Sequence, residues 1–278
     1  MTCTTAPLTF AGRPGIAEVR CTASDVLRWF GLPELASAAT ERIGYPMRRV
    51  HAGSSLLIEG QPFERLHLVS GGSFKCVQTD SEGYEQVLGF AIRGDLIGLD
   101  GLGQGRHHSG AVALEDSTVV PLPMRELLAT SHEVSALETL LLHAAGVEVS
   151  RRSDSQYLMA APSSEVRVTR FLLQFAQRQA ALGYSGRRLR MCMTRRDIAS
   201  HLGVAHETVS RVLTALAQDG YITVSNRDIE LLDPSALNEL QRVTRGRHAR
   251  ERHADVARQT TGAAPVKRAQ TAARVTLQ

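Results

Sequence analysis

The stretch that most constrains how this chain can fold is MTRRDIASHLGVAHETVSRVLTALAQDGYI, residues 193–222. Thr194 is a favourable helix N-cap, Asp197 suits the first turn, and Gly203 is a typical helix end. A second helix is predicted over residues 206–218, where apolar residues recur at helical spacing. Two short helices joined by a turn that contains Gly are typical of a helix-turn-helix, whose second helix is shaped to enter the major groove of DNA.

The outward face of the second helix carries the side chains that we expect to read bases. Glu207, Ser210 and Arg211 stand at i, i+3 and i+4, so they project together from its first turns. Arg can bind O6 and N7 of guanine, Glu can accept from N4 of cytosine, and Ser can bond to several bases. Nearby polar residues are expected to hold backbone phosphates, namely His206, Thr208 and Arg196. The simpler alternative is a surface helix with a solvated Glu207–Arg211 ion pair.

The same residues resemble a known family. TRRDIASHLGVAHETVSRVLTALAQDGYI is similar to the helix-turn-helix of the CRP/FNR family, named after the cyclic-AMP receptor protein and the fumarate and nitrate regulator. E-T-V-S-R resembles the FNR branch, in which Glu, Ser and Arg at these spacings read a TTGAT half-site. The resemblance assigns those roles to Glu207, Ser210 and Arg211. The CRP branch usually has Gly where Ser210 stands and Arg where His206 stands.

Composition sets the broad class. The 278 residues are 43% hydrophobic and 22% charged, as in ordinary soluble proteins of one large or two smaller domains. No apolar run reaches the roughly 20 residues that a membrane helix needs. The start of the chain lacks the charged and apolar regions of a secretory signal. We therefore expect a cytoplasmic protein without a membrane partner.

Positive charge is concentrated at the C-terminal end. Residues 242–278 hold nine Lys or Arg against Glu251 and Asp255, a net +7, so residues 1–241 carry −3 of the overall +4. We expect residues 242–278 to be a basic disordered tail, whose role is either none or non-specific attraction to phosphate. Because residues 1–241 carry a net negative charge, a positively charged DNA-binding surface must come from a local cluster of basic residues. Arginines cluster near the predicted motif: Arg187, Arg188, Arg190, Arg195, Arg196 and Arg211.

The N-terminal residues show little periodicity. Residues 1–20, rich in Thr, Ala, Pro and Gly, are predicted to be a flexible arm. A short helix is predicted over residues 22–30, capped by Ser24 or Asp25. A second is predicted over residues 33–42, with Pro33 at its first position.

Short β-prone runs follow between residues 45 and 123. They are MRRVH, SLLIEG, RLHLVS, GSFKCVQT, EQVLGFAI, GAVALE and STVVPL. Turn signals such as Gly71-Gly72 separate them, which favours a β-sandwich or jelly roll. EGQPFERLHLVSGGSFKC and GDLIGLDGL resemble the cyclic-nucleotide-binding-type β-roll of the same family. We assign residues 21–130 to this sensor domain.

Helical spacing returns over residues 124–160. Its apolar stripe comprises Leu127, Leu128, Leu137, Leu140, Leu141, Ala144, Ala145, Val149, Leu158 and Met159. In the family, a long helix at this place pairs with its copy in a homodimer, so residues 131–161 are predicted to be a dimerisation helix. Arg151, Arg152 and Asp154 interrupt the stripe. They either face solvent or weaken the seam so that dimerisation can be regulated.

Residues 162–241 complete the predicted architecture. A helix over residues 165–181 follows a cap at Ser163 or Ser164, and the alternating RRLRMCM leads as a strand into the helix-turn-helix. YITVSN and DIELLD are then predicted to form a two-stranded wing. The fold class is α+β: an N-terminal jelly-roll sensor, a long dimerisation helix and a C-terminal winged helix-turn-helix DNA-binding domain.

The sensor of this family binds different ligands in different branches. In cyclic-AMP receptors a Glu in the G-x-L-G segment binds the ribose, and an Arg-Ser pair binds the cyclic phosphate. Here Leu99 replaces that Glu, His108 replaces the Arg before Ser109, and Arg106 has the wrong spacing. A phosphodiester favours a bidentate guanidinium. These four residues are therefore a candidate effector pocket that is not expected to bind cyclic AMP.

The cysteines do not match the oxygen sensor of the FNR branch. That branch holds an iron–sulfur cluster with four Cys thiolates, three in the N-terminal arm and one in the roll. Here Cys21 lies near the matching arm, Val120 stands where the roll Cys belongs, and Cys3, Cys76 and Cys192 are too scattered. No metal or other cofactor is predicted, and the cysteines are expected to be free thiols.

Three other sensing mechanisms stay open. Haem would need a histidine ligand, for which the candidates are His51, His67, His107, His108, His132 and His143. Cys21 could act as a redox switch. Activity could also be set by protein concentration, without a ligand.

These features predict a homodimeric transcription regulator that binds an inverted repeat resembling TTGAT-N4-ATCAA. RNA polymerase is the expected partner for activation, through the hairpin around residues 81–84. No paired-carboxylate spacing, nucleophile elbow, P-loop or H-E-x-x-H motif indicates an enzyme. The competing hypothesis is a ligand-binding module that acts on a protein partner and keeps a vestigial DNA reader.

Overall fold

The computed structural model describes residues 19–241. The greater part of the predicted arm, residues 1–18 with Cys3, lies outside the described residues, as does the predicted tail over residues 242–278. No helix within residues 19–241 has the length and apolar character that a bilayer crossing needs.

The elements of the described chain are as follows. The α-helices are α1 (Ala23–Phe30), α2 (Ala38–Glu41), α3 (Met124–Ser131), α4 (Ser135–Met159), α5 (Ser164–Ala181), α6 (Arg195–Leu202) and α7 (His206–Gln218). The strands are β1 (Arg20–Thr22), β2 (Gly44–Pro46), β3 (Arg48–Val50), β4 (Ser55–Leu57), β5 (Arg65–Gly71), β6 (Ser73–Thr79), β7 (Glu85–Ile92), β8 (Leu96–Ile97), β9 (Gly110–Ala113), β10 (Ser117–Pro123), β11 (Arg188–Arg190), β12 (Ile222–Ser225) and β13 (Asp228–Leu231).

The segment before the roll departs from the sequence prediction at its first residues. Strand β1 pairs antiparallel with β2, so the predicted flexible arm is wrong at Arg20, which lies in a strand. The N-cap of helix α1 is Thr22, which forms a capping box with Asp25. Ser24, the other predicted cap, is buried, and its hydroxyl bonds that of Thr40 at 2.6 Å.

The helix predicted over residues 33–42 is broken in two. A 3₁₀ turn at Pro33–Leu35 is followed by α2, whose N-cap is Ser37. The Ser37 hydroxyl accepts from the Thr40 N–H. A side chain that bonds the backbone in this way favours a helix start over a helix interior, which explains the break.

Two antiparallel four-stranded sheets form the roll, with strand orders β3-β10-β5-β8 and β4-β9-β6-β7. Buried side chains such as Val69, Phe74 and Val119 make up one of its cores. All seven predicted runs contain strands, which confirms the jelly-roll architecture. The sequence does not predict strand β8, because its two residues between Gly94 and Gly98 are too few to show a periodicity.

A separate short helix precedes the long one. Helix α3 ends at Ser131 and α4 begins only at Ser135, so the long helix starts later than the predicted residue 131. The predicted stripe is also divided between two faces. Leu137 and Leu140 are buried in the core that includes roll residues, whereas Val149 is 65% exposed. Helix α4 therefore has an inner apolar face and an outer one.

The C-terminal part is a winged helix-turn-helix packed on α5. Ser163 caps α5, and α6 and α7 occupy the residues that the sequence predicted. The wing is a three-stranded sheet of order β11-β13-β12 rather than the predicted two strands, because β11 pairs with β13. Leu202, Val209 and Leu213 are buried beneath the motif.

One hydrophobic cluster joins the roll to this C-terminal part. Val87 and Phe90 of β7 belong to the same buried cluster as Phe171 of α5 and Ile198 of α6. Helix α6 therefore packs on the roll as well as on its own helix-turn-helix partner.

Candidate DNA interface and sensor cavity

Reciprocal hydrogen bonds fix the start of α6. The Thr194 hydroxyl accepts from the Asp197 N–H at 3.1 Å, and Asp197 Oδ2 accepts from the Thr194 N–H at 2.9 Å. Gly203 ends the helix at φ +61°, a left-handed conformation that a Cβ disfavours. Both features match the sequence prediction, and together they set the turn that presents α7.

Three side chains near the start of α7 form an exposed face. Glu207, Ser210 and Arg211 are exposed, whereas Val209 and Leu213 of the same helix are buried. The burial of those two residues fixes the rotation of α7 about its axis. The three predicted base-reading side chains therefore point to solvent together.

Each of the three is held by a neighbour within α7. Arg211 Nη2 donates to the Thr208 hydroxyl at 3.2 Å, and the Ser210 hydroxyl donates to the His206 carbonyl at 3.2 Å. Glu207 Oε2 lies 3.3 Å from His206 Nδ1. No ion pair among the described residues joins Glu207 to Arg211. The carboxylate and the guanidinium therefore do not neutralise each other.

The start of α6 and the wing turn add polar and cationic groups. Arg196, a predicted phosphate contact, is exposed, as is His206, while Thr208 is half-buried. Arg195 Nη2 donates to the Asn226 carbonyl in the wing turn at 3.4 Å, and burial lowers the pKa of Arg195. Asn226 has φ +54°, which Asn tolerates better than most side chains. The wing turn is thus tied to the start of α6.

Polar contacts that the sequence did not reveal hold α6 on the roll. Lys75 Nζ lies 3.0 Å from Asp197 Oδ1, and Ser200 Oγ accepts from the Val87 N–H at 2.9 Å. Burial acts to raise the pKa of Asp197, but hydrogen bonds from Thr194 and the Lys75 ion pair hold it below its ordinary value. Lys75 and Asp197 are 122 positions apart, so no local pattern could have indicated their contact.

A cavity of about 1080 Å³ lies between the roll, α4 and α5. Three of the four predicted effector residues line it, namely Leu99, His108 and Ser109. Arg106 lies elsewhere, with its guanidinium donating to the Gly60 carbonyl at 2.8 Å. The structure therefore brings three of these residues together, and the expectation that Arg106 joins them is wrong.

The hydrogen-bond donors of His108 and Ser109 in the cavity wall are already bonded to a carboxylate of the chain itself. Asp100 Oδ2 accepts from the His108 N–H at 2.9 Å, and from the Ser109 N–H and hydroxyl, each at 2.8 Å. A phosphate at these donors would have to displace Asp100 and meet its repulsion. This arrangement gives a physical reason to disfavour cyclic AMP here. Asp100 was not singled out by the sequence pattern.

The charges that interrupt α4 have different environments. The guanidiniums of Arg151 and of Arg178 in α5 both bond the carboxylate of Asp95, which is 5% exposed between β7 and β8. Arg152 pairs along its own helix, and Asp154 is exposed. The interpretation that these charges face solvent is therefore wrong for Arg151, which connects α4 to the roll and to α5.

Comparisons with known proteins agree with this geometry. A cyclic nucleotide-binding domain model matches residues 47–132, and a Crp-like helix-turn-helix domain model matches residues 166–240. The transcriptional regulatory protein btr of Bordetella pertussis is 35% identical over 192 residues, which cover 69% of this chain and 79% of that protein. The fumarate and nitrate reduction regulatory protein of Escherichia coli is 30% identical over 225 residues, 81% of this chain and 90% of that protein. The chain belongs to the CRP/FNR family.

A solved structure of the same architecture supports the assignment. FixK2 from Bradyrhizobium japonicum matches with a TM-score of 0.62 and 27% identity, over 70% of this chain and 96% of that one. The resemblance seen in the helix-turn-helix and in the roll is thus confirmed. This CRP/FNR protein is a DNA-binding transcription regulator and not an enzyme.

Two of the thiols in the described part of this CRP/FNR regulator have raised pKa values. Burial raises the pKa of Cys21 to about 11 and that of Cys76 to about 12. Because the thiolate is the reactive form, the redox-switch hypothesis for Cys21 loses support. Over residues 19–241, no group of three or more His, Cys, Asp and Glu residues is placed to hold a metal ion.

The histidines considered for haem lie in different environments. His67 and His107 are buried, and burial lowers the pKa of His67 to about 3. His108 is exposed and lines the cavity. The remaining three are exposed: His51, His132 and His143.

Proposed function

We propose that this CRP/FNR regulator binds an inverted repeat resembling TTGAT-N4-ATCAA as a homodimer, and that its roll passes a signal to the DNA reader. The observation that carries the proposal is the exposed face of Glu207, Ser210 and Arg211 on α7. A carboxylate, a hydroxyl and a guanidinium on the first turns of a recognition helix are groups that reach base edges. Phosphate contacts are assigned to His206, Thr208 and Arg196.

The outer face of α4 supports the homodimer. Leu142 and Val149 are 70% and 65% exposed and stand seven residues apart, so they lie on one line along the helix. Between them Ala145 and Gly146 are small and exposed, which allows a second helix to approach closely. A second copy offers the same apolar stripe across a two-fold axis. Such a dimer would place two α7 helices in successive major grooves, about 34 Å apart.

We infer further that the β6–β7 hairpin contacts RNA polymerase, so that the protein acts as an activator in the cytoplasm. Asp80 Oδ1 accepts from the N–H groups of Glu82 and Tyr84, each at 2.9 Å, which fixes the turn. Tyr84 is 58% exposed at this turn. An exposed aromatic side chain on a fixed turn suits contact with another protein.

Binding to labelled duplexes tests the proposal. The duplex with TTGAT-N4-ATCAA should bind at least about tenfold more tightly than one with the guanine replaced in both half-sites, since each wrong base pair costs about 1–3 kcal/mol. Native mass of the complex should correspond to two chains on one duplex. Equal affinity for the two duplexes would favour the vestigial-reader alternative, and one chain per duplex would contradict the homodimer.

A further inference from the structure

We propose that the end of the cavity next to α5 binds an organic acid with an apolar body, such as an aryl or alkyl carboxylate or sulfonate. The site lies where the roll, α4 and α5 meet, rather than at the Asp100 loop. The inference names the chemical class of the signal, and it rests on the proposed function only for the consequence of binding on DNA recognition.

Aromatic side chains form part of the cavity wall at this end, beside the polar Gln174 and Gln177 of α5. Phe90 of β7 and Phe171 and Phe175 of α5 line it, with Leu96 nearby on β8. Phe171 and Phe175 stack at 6.1 Å, and Phe90 meets Phe171 edge-on at 5.9 Å. Pockets for small organic ligands are typically of about 300–1,000 Å³ with predominantly apolar and aromatic linings. A cavity of about 1080 Å³ therefore has room for a ligand with an aromatic or alkyl body.

Two guanidiniums that share one carboxylate stand beside this wall. Arg151 and Arg178 both line the cavity and both bond Asp95 beneath it. Of the other charged groups that line the cavity, Arg152 pairs with Glu148 along α4, Asp100 accepts from its own loop, and Asp154 lies exposed at the rim. Within the cluster itself, the two guanidiniums and the one carboxylate leave a net charge of +1 beside the aromatic side chains. An acid group entering here can accept from either guanidinium in a bidentate manner.

Binding at this place would reach the DNA reader directly. Arg151 belongs to the proposed dimerisation helix, Arg178 to the helix beneath the helix-turn-helix, and Asp95 to the roll. A ligand that takes a guanidinium from Asp95 therefore changes a contact shared by all three parts. Only a ligand that favours one arrangement of these parts over another can shift the equilibrium between them.

Replacing Asp95 with Asn tests the proposal by a gain of binding. The probe is 1-anilinonaphthalene-8-sulfonate, an aromatic acid that fluoresces in apolar surroundings, added to the full chain without DNA. Asn keeps the shape of Asp but removes the negative charge that the two guanidiniums share, so the affinity for this probe should rise about tenfold, as for one additional charge-assisted hydrogen bond. N-phenyl-1-naphthylamine, which has the same rings without the sulfonate, should change less than about twofold.

Two further variants locate the effect. Asp154→Asn removes the same charge at the rim of the cavity, but no ion pair among the described residues joins Asp154 to an arginine, so it should change sulfonate affinity less than about twofold. Gly89 also lines the cavity, and an added Cβ there would meet no heavy atom within 4 Å. In Gly89→Trp the indole ring should fill part of the cavity and weaken the binding of both probes.

The outcomes separate the proposal from its alternatives. A parent chain that did not bind the sulfonate, or an Asp95→Asn variant with unchanged sulfonate affinity, would overturn it. Equal tightening of both probes would indicate a loosened core rather than an acid site, and would overturn it as well. Because these titrations contain no DNA, their result stands apart from the success or failure of the TTGAT assay.

Discussion

The guanidinium of Arg211 has a weak hydrogen-bond partner within the protein and is available to bind DNA. It donates to the Thr208 hydroxyl at 3.2 Å, and a hydroxyl is a weaker partner than a carboxylate. Glu207 is engaged with His206 and does not compete for it. The side chain can therefore turn to the edge of a guanine at small cost. The availability of the guanidinium therefore depends on its partner Thr208 as well as on Arg211 itself.

Replacing Arg211 with Ala should weaken binding to the matched duplex by about 1–3 kcal/mol and remove discrimination at its guanine. The helix should persist, because the position is exposed and Ala favours helices. Anisotropy with matched and guanine-substituted duplexes measures both effects. Arg196→Ala is the control and should weaken both duplexes about equally, since a phosphate contact carries no base information. Discrimination that survives Arg211→Ala would remove this residue from the reader.

His67 should make folding depend on pH. It is 2% exposed, its Nδ1 has no hydrogen-bond partner, and burial lowers its pKa to about 3. An unfolded His titrates near pH 6.5. Between these values the unfolded chain binds a proton that the folded chain rejects. The free energy of unfolding should therefore fall as pH falls, by up to about 1.4 kcal/mol per pH unit from this group.

Urea unfolding at pH 7 and pH 5 measures this contribution. His67→Gln should reduce the loss of stability between the two pH values, whatever its effect at pH 7. His132→Gln, at an exposed position with no ion pair among the described residues, is the matched control for replacing an imidazole with an amide. If the His67 variant and the parent lost the same free energy, the buried neutral imidazole would not be responsible.

Helix α4 packs on the roll with one face and offers the opposite face to the proposed second copy. Leu142→Glu should convert the proposed dimer to a monomer, because it places two carboxylates at a two-fold seam. The fold should persist, since Leu142 is 70% exposed within one chain. Ser150→Glu, exposed about a quarter turn away, is the matched control and should stay dimeric. Native mass against concentration measures the outcome, and a Leu142→Glu dimer would place the seam elsewhere.

The sequence predicts helices whose ends are set by residues within one turn. It does not predict contacts between residues that are far apart along the chain. The ends of α6 follow from Thr194 and Gly203, which act within one turn of the helix. In α4, periodicity revealed apolar positions but not which neighbour covers each face. Leu137 was therefore assigned to the seam, although it is buried in a core shared with the roll. The sequence around Asp100 does not distinguish it from other loop carboxylates, and only the fold shows that it accepts from the Ser109 N–H.

Strand β7 connects the cavity to the helix-turn-helix. Phe90 lines the cavity, and three residues earlier the Val87 N–H binds Ser200 of α6. The Lys75–Asp197 ion pair holds the same helix from β6. A change in how the cavity is filled therefore has a short physical route to the helix that orients α7. This route is spatial, and its use in regulation requires two arrangements with different populations.

The distribution of charge over the whole chain separates specific from non-specific DNA binding. Residues 242–278 carry a net +7, while residues 1–241 carry −3. A chain ended after Gln241 should therefore bind matched and substituted duplexes more weakly by a similar factor, because attraction to phosphate is independent of sequence. The slope of log K against log salt should become shallower by about 0.9 for each phosphate that the tail neutralises in the full-length complex. A full-length chain with Gln in place of the tail arginines separates the effect of charge from that of length. If truncation reduced affinity for the matched duplex alone, the tail would belong to the sequence reader, and specificity would not reside in α7 by itself.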